Sequence, residues 1–350
     1  MLKSEPVADG APVGGWSPLL EDLALEALLR PGAVLHRLAT GAIWSEGPVW
    51  LPQDGSLLWS DIPNDRVLRW YPEGRASVFL EPCEFENGHT LDHDGSIIAC
   101  SHGGRRIERL ALDGTITPIV ERHLGKRLNS PNDVIVRSDG TIWFSDPPYG
   151  IASDWEGHTA ESEIGDCLVF RFDPRTGELE AVTDWVAEPN GLAFSPDESV
   201  LYVSDTSAAL RTDGGGNHHI AAFDVVDGRT LANPRVFYTM DEGLADGFRV
   251  DVAGNVWTSA QDGIHVIAPD GRRLGRLPVP ERTSNCVFGG ADGDRLFITA
   301  STSLYAIHLA TRGAVSATRG AVLAPSVSRV GLQRTNSRGA SSDALPGPAE

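Results

Sequence analysis

The sequence predicts an all-β protein built as a six-bladed β-propeller, and three observations support that prediction. A unit made of a polar residue, an alternating apolar strand, a tight turn and a second strand occurs six times. Successive units begin 39 to 58 residues apart, a period typical of blades that each carry one small antiparallel sheet. The turn follows the polar residue after seven residues in five units and after eight in the first.

The residue that opens each unit, which we call the corner residue, always carries a side-chain oxygen. The corner residues are Glu46, Asn87, Asn132, Asn190, Asp246 and Asn285. The turns that follow them are Asp54-Gly55, Asp94-Gly95, Asp139-Gly140, Asp197-Glu198, Ala253-Gly254 and Asp292-Gly293. Asp-Gly between apolar strands is typical of a β-hairpin, so we expect each corner residue to precede the inner strand of its blade.

The segment before the first unit predicts how the ring begins. Residues 1–17 are rich in Pro, Gly and Ala and predict a flexible leader. Residues 19–29 carry a short helical pattern with Pro31-Gly32 as its stop. A strand over residues 34–38 is expected to pair with the strands after Asn285, because that pairing closes the ring and removes the open sheet edges.

The repeats predict one folded domain, since a repeat architecture overrides the expectation that a chain of 350 residues forms two or three domains. We expect the propeller over residues 18–311. Residues 312–350 are mainly Ser, Ala, Gly, Pro and Arg with few large apolar groups, and this composition predicts a disordered tail.

Composition excludes several classes of partner and site. The formal net charge of −19 disfavours nucleic acid and anionic membrane surfaces. No apolar run approaches the length of a membrane span and no secretory signal is evident, so the sequence predicts a cytoplasmic protein. The four cysteines lack the spacing of a zinc site or a redox motif and are expected to be reduced core residues. No obligate protein partner is evident.

The corner residues predict a metal site. Equivalent positions of a propeller form a ring at one mouth of the central channel, so six oxygen-bearing side chains are expected to converge there. A site of amide and carboxylate oxygens without sulfur or imidazole favours a hard cation, Ca²⁺ first, with Mg²⁺ or Mn²⁺ as alternatives. Turn chemistry is the competing interpretation, because Asn-Gly and Asp-Gly pairs are more often turns than ligands. The separate hairpin turn in every unit favours the metal.

Five longer motifs surround these residues. They are Ser45-Glu46-Gly47-Pro48-Val49-Trp50, Leu128-Asn129-Ser130-Pro131-Asn132-Asp133-Val134, Asp146-Pro147-Pro148-Tyr149-Gly150, Glu188-Pro189-Asn190-Gly191-Leu192-Ala193-Phe194-Ser195-Pro196-Asp197 and Ala245-Asp246-Gly247-Phe248-Arg249-Val250-Asp251. Together they closely resemble the SMP-30/gluconolactonase/luciferin-regenerating-enzyme family, over roughly residues 20 to 310.

This resemblance implies a propeller with one divalent metal in the channel and hydrolysis of small-molecule lactones, typically aldonolactones. The family's metal ligands fall on Glu46, Asn132, Asn190 and Asp246. Ca²⁺ is expected first, with Mg²⁺, Mn²⁺ or Zn²⁺ as alternatives. The implied mechanism is metal-assisted attack of water on the lactone carbonyl, with Asp246 or a neighbouring carboxylate as the general base.

Four further residues are expected in the substrate pocket. Asn87 and Asn285 belong to the ring of corner residues but not to the family's usual ligand set. His102 ends the second strand of blade two and could bond substrate hydroxyls, although a lone histidine is more often structural. Tyr149 could line the channel mouth, although packing on its own blade explains it equally well.

Two other functions remain open at this point. A propeller of this kind could hydrolyse phosphotriesters, because the same metal can polarise a phosphoryl oxygen. It could also bind calcium or a ligand without catalysis, since fold alone does not fix function. Serine-hydrolase, zinc-protease and dinucleotide-binding motifs are absent from the sequence.

Overall fold

Six antiparallel sheets, one for each repeat, make up most of the computed structural model, which describes residues 3–4 and 10–314. The inner strands of neighbouring blades contact one another in a closed ring, and the sixth contacts the first. This arrangement confirms the six-bladed propeller. The first three blades, from the axis outwards, are Ser45–Leu51, Ser56–Asp61, Arg66–Tyr71 and Arg75–Leu80; Glu86–Leu91, Ile97–Ser101, Arg106–Leu110 and Ile116–Val120; and Val134–Val136, Ile142–Asp146, Leu168–Asp173 and Glu178–Thr183.

The other three blades follow the same order with additions from the N-terminal segment. Their strands are Pro189–Phe194, Val200–Asp205, His219–Val226 and Thr230–Thr239; Phe248–Val250, Val256–Ala260, Gly263–Ile267, Arg273–Pro278 and Leu19–Leu20; and Thr283–Gly289, Arg295–Ala300, Ser303–His308 and His36–Thr40. A two-stranded hairpin, Arg122–His123 with Lys126–Arg127, lies between blades two and three.

The ring closes as the sequence predicts. His36–Thr40 pairs with Ser303–His308 as the outer strand of blade six, so the first and last parts of the propeller share one sheet. Within the segment predicted as a leader, Ala11–Pro12 and Lys3–Ser4 both pair with this strand. The Trp16 indole also donates a hydrogen bond to the carbonyl of Pro278, 2.7 Å away.

The N-terminal helix spans only Leu23–Leu28, a shorter stretch than the predicted residues 19–29. Asp22 caps it by accepting a hydrogen bond from the backbone N–H of Ala24. Leu19–Leu20 instead pairs with the outer strand of blade five opposite Gly275. A Cβ on Gly275 would lie 2.3 Å from the carbonyl oxygen of Leu19, so this pairing needs glycine.

All six predicted hairpin turns are present, each between the first and second strand of its blade. Five of them place a glycine at positive φ, as an Asp-Gly or Ala-Gly turn requires. In the fourth turn Glu198 takes this conformation, with φ of 57°. Four of the turn aspartates accept hydrogen bonds from the backbone N–H and the hydroxyl of the residue two positions on, as Asp139 does from Thr141.

Large side chains on the middle strands fill the space between neighbouring blades. Trp59, Trp143 and Trp257 come from the second strands of blades one, three and five and are fully buried. Each such side chain contributes about 1.5–3 kcal/mol through removal of apolar surface from water. All four cysteines are free thiols, and three of them are buried.

The first residues of the predicted tail pack on the propeller, and the helices are short. Most of the predicted tail lies outside the described residues, but residues 312–314 are bonded to blade five: Val252 donates to the carbonyl of Arg312 and Ala314 donates to that of Val250. The α-helices in the part of the chain that the structure covers hold six and four residues, too few to cross a bilayer.

Candidate functional site

The four residues predicted as metal ligands converge on one cavity of about 320 Å³. Glu46, Asn132, Asn190 and Asp246 all line it. Each side chain belongs to the segment that begins the inner strand of its blade, so four separate blades contribute one oxygen-bearing group each. Two of the residues predicted to contact substrate, Asn87 and Tyr149, line the same cavity.

The glycine that follows a corner residue serves close packing between blades and not a hairpin turn. The N–H of Gly88 donates to the carbonyl of Asn132, the corner residue of the next blade, at 2.9 Å. A Cβ on Gly88 would lie 2.4 Å from that carbonyl oxygen. Gly191 approaches the carbonyl of Asp246 in the same way. Turn chemistry therefore does not explain these Asn-Gly pairs.

Serine hydroxyls on the second strands tie the corner residues to the preceding blade. Ser60 donates to the carbonyl of Asn87, and Ser145 donates to that of Asn190, at 2.8 and 2.6 Å. Ser204 bonds the carbonyl of Asp246 at 3.0 Å. The backbone at these three corners is thus fixed from the preceding blade, and all three residues line the cavity.

Glu46 is a buried carboxylate held through one oxygen. Its Oε2 accepts hydrogen bonds from the N–H of Gly47 at 2.9 Å and from Asn285 Nδ2 at 3.2 Å. Burial and the nearby charge of Asp246 raise the pKa of Glu46 well above its usual range. Two like charges in one buried cavity repel each other, and a cation between them would remove that repulsion.

Asp246 has its pKa raised to about 7, chiefly by burial of its carboxyl group, while the positive charge of Arg282 opposes the shift. The neighbouring charges of Glu156 and Asp133 raise this pKa further. Among the described residues, neither Glu46 nor Asp246 forms a salt bridge with a lysine or arginine.

Asn190 and Tyr149 meet at Thr206. Asn190 Nδ2 donates to Thr206 Oγ1 at 3.2 Å, and the Tyr149 hydroxyl lies 2.6 Å from the same oxygen. Since the amide nitrogen of Asn190 is engaged by Thr206, its Oδ1 is the atom left for a ligand. Tyr149 therefore both lines the cavity and helps to orient a predicted metal ligand.

The remaining two predicted pocket residues lie behind the cavity wall. His102 is fully buried, with Nε2 at 3.2 Å from Asn87 Nδ2 and Nδ1 at 3.0 Å from the carbonyl oxygen of Glu156. Asn285 contacts Glu46 and does not line the cavity. Both reach the site through another residue.

Sequence reasoning missed the residues that form the rest of the cavity wall: Trp44, Ile62, Trp155, Glu156, Thr206, Ala209, Leu210, Leu244 and Arg282. Six of them lie in connections between the second and third strands of blades one, three and four, and the other three lie in connections between blades; neither kind of connection carries a periodic signal. Burial raises the pKa of Glu156 to about 7, with Arg282 opposing the shift. Position offered one signal, since Trp44 and Leu244 each stand two residues before a corner residue.

The donor set fits a hard divalent cation. The candidate ligands supply two carboxylates and two amide oxygens, the ligand types that Ca²⁺ prefers. In residues 10–314 no cluster of three or more His, Cys, Asp or Glu side chains has metal-binding geometry, so the carboxylates need the amides to complete a site. Asn87, whose buried Oδ1 has no hydrogen-bond partner among the described residues, lines the same cavity.

A larger cleft, of about 630 Å³, lies between blades four and five at the other end of the strands. It is lined by turn residues such as Asp197 and Gly254 and contains none of the corner residues. The smaller cavity is therefore the one on which the corner residues converge.

The sequence as a whole is similar to a known family of proteins. Residues 44–302 match the model of the SMP-30/Gluconolactonase/LRE-like region. A gluconolactonase of Zymomonas mobilis is 35% identical over 312 residues, which cover 83% of this chain and 85% of that protein. A pentonolactonase of Haloferax volcanii is 33% identical over 263 residues, covering 73% of this chain and 81% of that protein.

The fold of a related enzyme is also similar. The solved structure of a gluconolactonase from Xanthomonas campestris matches with a TM-score of 0.78 at 41% identity. The match covers 88% of this chain and 97% of that chain.

Proposed function

The chain belongs to the SMP-30/gluconolactonase/LRE-like family, and we propose that this member opens sugar lactones with the help of one divalent cation. Family membership and relatives at 33–41% identity over most of the chain make it a lactonase. The observation that carries the proposal is the convergence of Glu46, Asn132, Asn190 and Asp246 on one cavity.

We assign the cation to these four side chains, with Ca²⁺ as the expected ion. The support is the oxygen-only donor set and the like charges of Glu46 and Asp246, which face one cavity without a salt-bridge partner among the described residues. When bound, the cation supplies polarisation of the lactone carbonyl and stabilisation of the negative charge that develops on its oxygen.

The protein's own contribution to the chemistry is a carboxylate that removes a proton from the attacking water. Asp246 is the candidate from the family motif, and Glu156 is the neighbouring carboxylate that the structure adds. The pKa of each is raised to about 7 by burial, which suits a general base that works near neutral pH. Glu156 is outside the ligand set, so a cation would weaken it less as a base.

The cavity suits a neutral sugar ring better than an anionic substrate. Arg282 is the one cationic side chain among its lining residues, and Glu156 and Asp246 both interact with its charge. Trp44 and Trp155 provide aromatic surface against which the C–H face of a sugar can pack. We therefore expect unphosphorylated aldonolactones as substrates.

The test is hydrolysis of glucono-1,5-lactone and pentonolactones, followed by pH-stat, on protein stripped with EDTA and resupplied with Ca²⁺, Mg²⁺, Mn²⁺ or Zn²⁺. We expect turnover only with metal, and a loss in kcat/KM of at least roughly a hundredfold in Asp246→Asn. Asp270→Asn, on the exposed turn of blade five, is the matched control and should retain activity.

Two outcomes would redirect the proposal. Metal binding without turnover of any lactone would favour hydrolysis of phosphotriesters or a non-catalytic binding role, and a phosphotriester panel would separate those two. Glu156→Gln distinguishes the bases: a loss of roughly 10²–10⁴-fold with unchanged metal affinity would assign the proton transfer to Glu156.

A further inference from the structure

His102 links two walls of the cavity without lining it. It directly follows the second strand of blade two, Ile97–Ser101, and its ring lies between the side chain of Asn87 and the backbone of Glu156 in the long connection of blade three. From its position behind the cavity, the His102 ring therefore connects two lining residues, Asn87 and Glu156.

The partners of the imidazole fix its tautomer. The Glu156 carbonyl oxygen, 3.0 Å from Nδ1, can only accept a hydrogen bond, so Nδ1 must carry the proton. Burial lowers the pKa of His102 to about 4, which keeps the ring neutral and leaves Nε2 as an acceptor. Nε2 therefore accepts from the Asn87 amide nitrogen 3.2 Å away.

This bond decides which way the Asn87 amide points. With its nitrogen bonded to His102, Oδ1 is left buried and has no hydrogen-bond partner among the described residues. Asn87 lines the cavity and is only 3% exposed. A buried acceptor without a partner is rare in proteins, and here it lies where a ligand would bind.

Packing prevents the ring from adopting another orientation. Gly150 lies against it so closely that a Cβ on this glycine would be 2.5 Å from the His102 Cβ. The backbone N–H of His102 also donates to the carbonyl of Phe85 at 3.1 Å. The imidazole is therefore a fixed support for the amide and is not free to contact substrate.

We propose that Asn87 Oδ1 accepts a hydrogen bond from one hydroxyl group of the lactone, and that His102 is the positioning residue that holds the Asn87 amide in the required orientation. This inference rests on the proposed function. The hydroxyl groups are the only hydrogen-bond donors of an aldonolactone, since its ring oxygen and carbonyl only accept. Asn87 thus determines specificity by recognising a hydroxyl, and His102 acts through Asn87.

The experiment measures kcat/KM for a parent lactone and its monodeoxy analogues in the metal-loaded enzyme. In the wild type, one analogue should lose roughly tenfold relative to the parent, the value of one hydrogen bond. Asn87→Ala should abolish that difference and His102→Phe should largely abolish it. His102→Gln can still accept at the position of Nε2 and should retain it. His265→Phe, at a buried histidine outside the cavity, should leave it unchanged.

Other results would contradict the role of Asn87, the role of His102 or the proposed function. A wild type that turns over the parent but penalises no single analogue, or Asn87→Ala that keeps the penalty, would overturn the role of Asn87. A penalty that persists in His102→Phe would overturn the role of His102; His102→Leu replaces that variant if it does not fold. A tenfold weaker Ca²⁺ affinity in Asn87→Ala would assign Oδ1 to the metal instead. Failure of the wild type on every lactone would reject the proposed function as well.

Discussion

Asn285 of blade six donates a hydrogen bond from Nδ2 to Glu46 Oε2 of blade one, 3.2 Å away, across the seam where the ring closes. Asn285 Oδ1 accepts from the N–H of Cys286 at 2.8 Å, which sets the direction of the amide. Because Oε2 of Glu46 also accepts from Gly47, the other carboxylate oxygen is the one left for a cation. Ring closure and the candidate metal site therefore share this contact.

Replacing Asn285 with leucine should weaken both the closure of the ring and the candidate metal site. Asn285→Leu leaves the buried Glu46 carboxylate short of a donor, at an expected cost of about 1–3 kcal/mol in the free energy of unfolding, and should lower kcat/KM about tenfold. Urea unfolding and lactone kinetics measure the two effects. Gln53→Leu removes an exposed amide far from the cavity and should change neither. An Asn285→Leu enzyme with wild-type stability and kinetics would show that the contact is not needed.

Two glycines of blade two are needed for different reasons: Gly88 for close packing against the next blade, and Gly95 for the conformation of a turn. Gly88→Ala should destabilise the protein by about 3 kcal/mol or more, because the new Cβ would lie 2.4 Å from the Asn132 carbonyl oxygen. Gly95 has open space around it but a φ of +83°, so Gly95→Ala should cost only about 1 kcal/mol. Equal costs in denaturant unfolding would contradict the interblade role of Gly88.

Asp146 should make stability fall as the pH rises. Burial raises its pKa from 3.8 to about 7, so the folded state favours the protonated form relative to the unfolded chain. Its stabilising effect is present below about pH 4 and is lost as the pH rises through about 7. We expect the free energy of unfolding to decrease with pH across this window, by an amount on the order of 2–4 kcal/mol, and the slope to flatten in Asp146→Asn.

Asp205 provides the matched control for that experiment. It occupies the equivalent strand end in blade four, but hydrogen bonds from neighbours that include Ala187 and Asn217 lower its pKa despite burial. The sign is therefore opposite: its contribution is present above the unfolded pKa and is lost as the pH falls through the folded one. Asp205→Asn should alter the acidic part of the stability profile and leave the slope between pH 4 and 7 intact. An unchanged slope in Asp146→Asn would refute the assignment.

Trp155 should contribute to substrate binding and little to folding. Its side chain lines the cavity and is 56% exposed. Trp155→Ala should raise KM several-fold with little change in unfolding free energy, because the aromatic surface on which a sugar ring would pack is lost. Trp185→Ala is the control, since Trp185 is also exposed but contacts Phe223 and His219 outside the cavity. Equal effects on KM in both variants would contradict the role of Trp155.

The corner residues and turns could be predicted because each repeat is a local sequence pattern, and that pattern occurs six times along the chain. The helix over residues 19–29 was overestimated, because the pairing of Leu19–Leu20 with blade five overrides the helical preference of that stretch. Trp155, Glu156 and Arg282 could not be predicted, since they lie on connections whose course depends on the packing of neighbouring blades.

The repeats in the amino-acid sequence are enough to place six oxygen-bearing side chains at equivalent positions of a six-bladed ring. Which of these side chains face the cavity depends on how the blades pack against one another. Five do, and Asn285 does not. Gly247 of blade five lies so close to it that a Cβ there would be 1.9 Å from the Asn285 Cγ, and the amide is engaged by Glu46 and Cys286. Contacts between blades are not visible in the sequence of any single repeat. Because of these contacts, the sixth oxygen-bearing side chain, Asn285, bonds Glu46 and does not face the cavity.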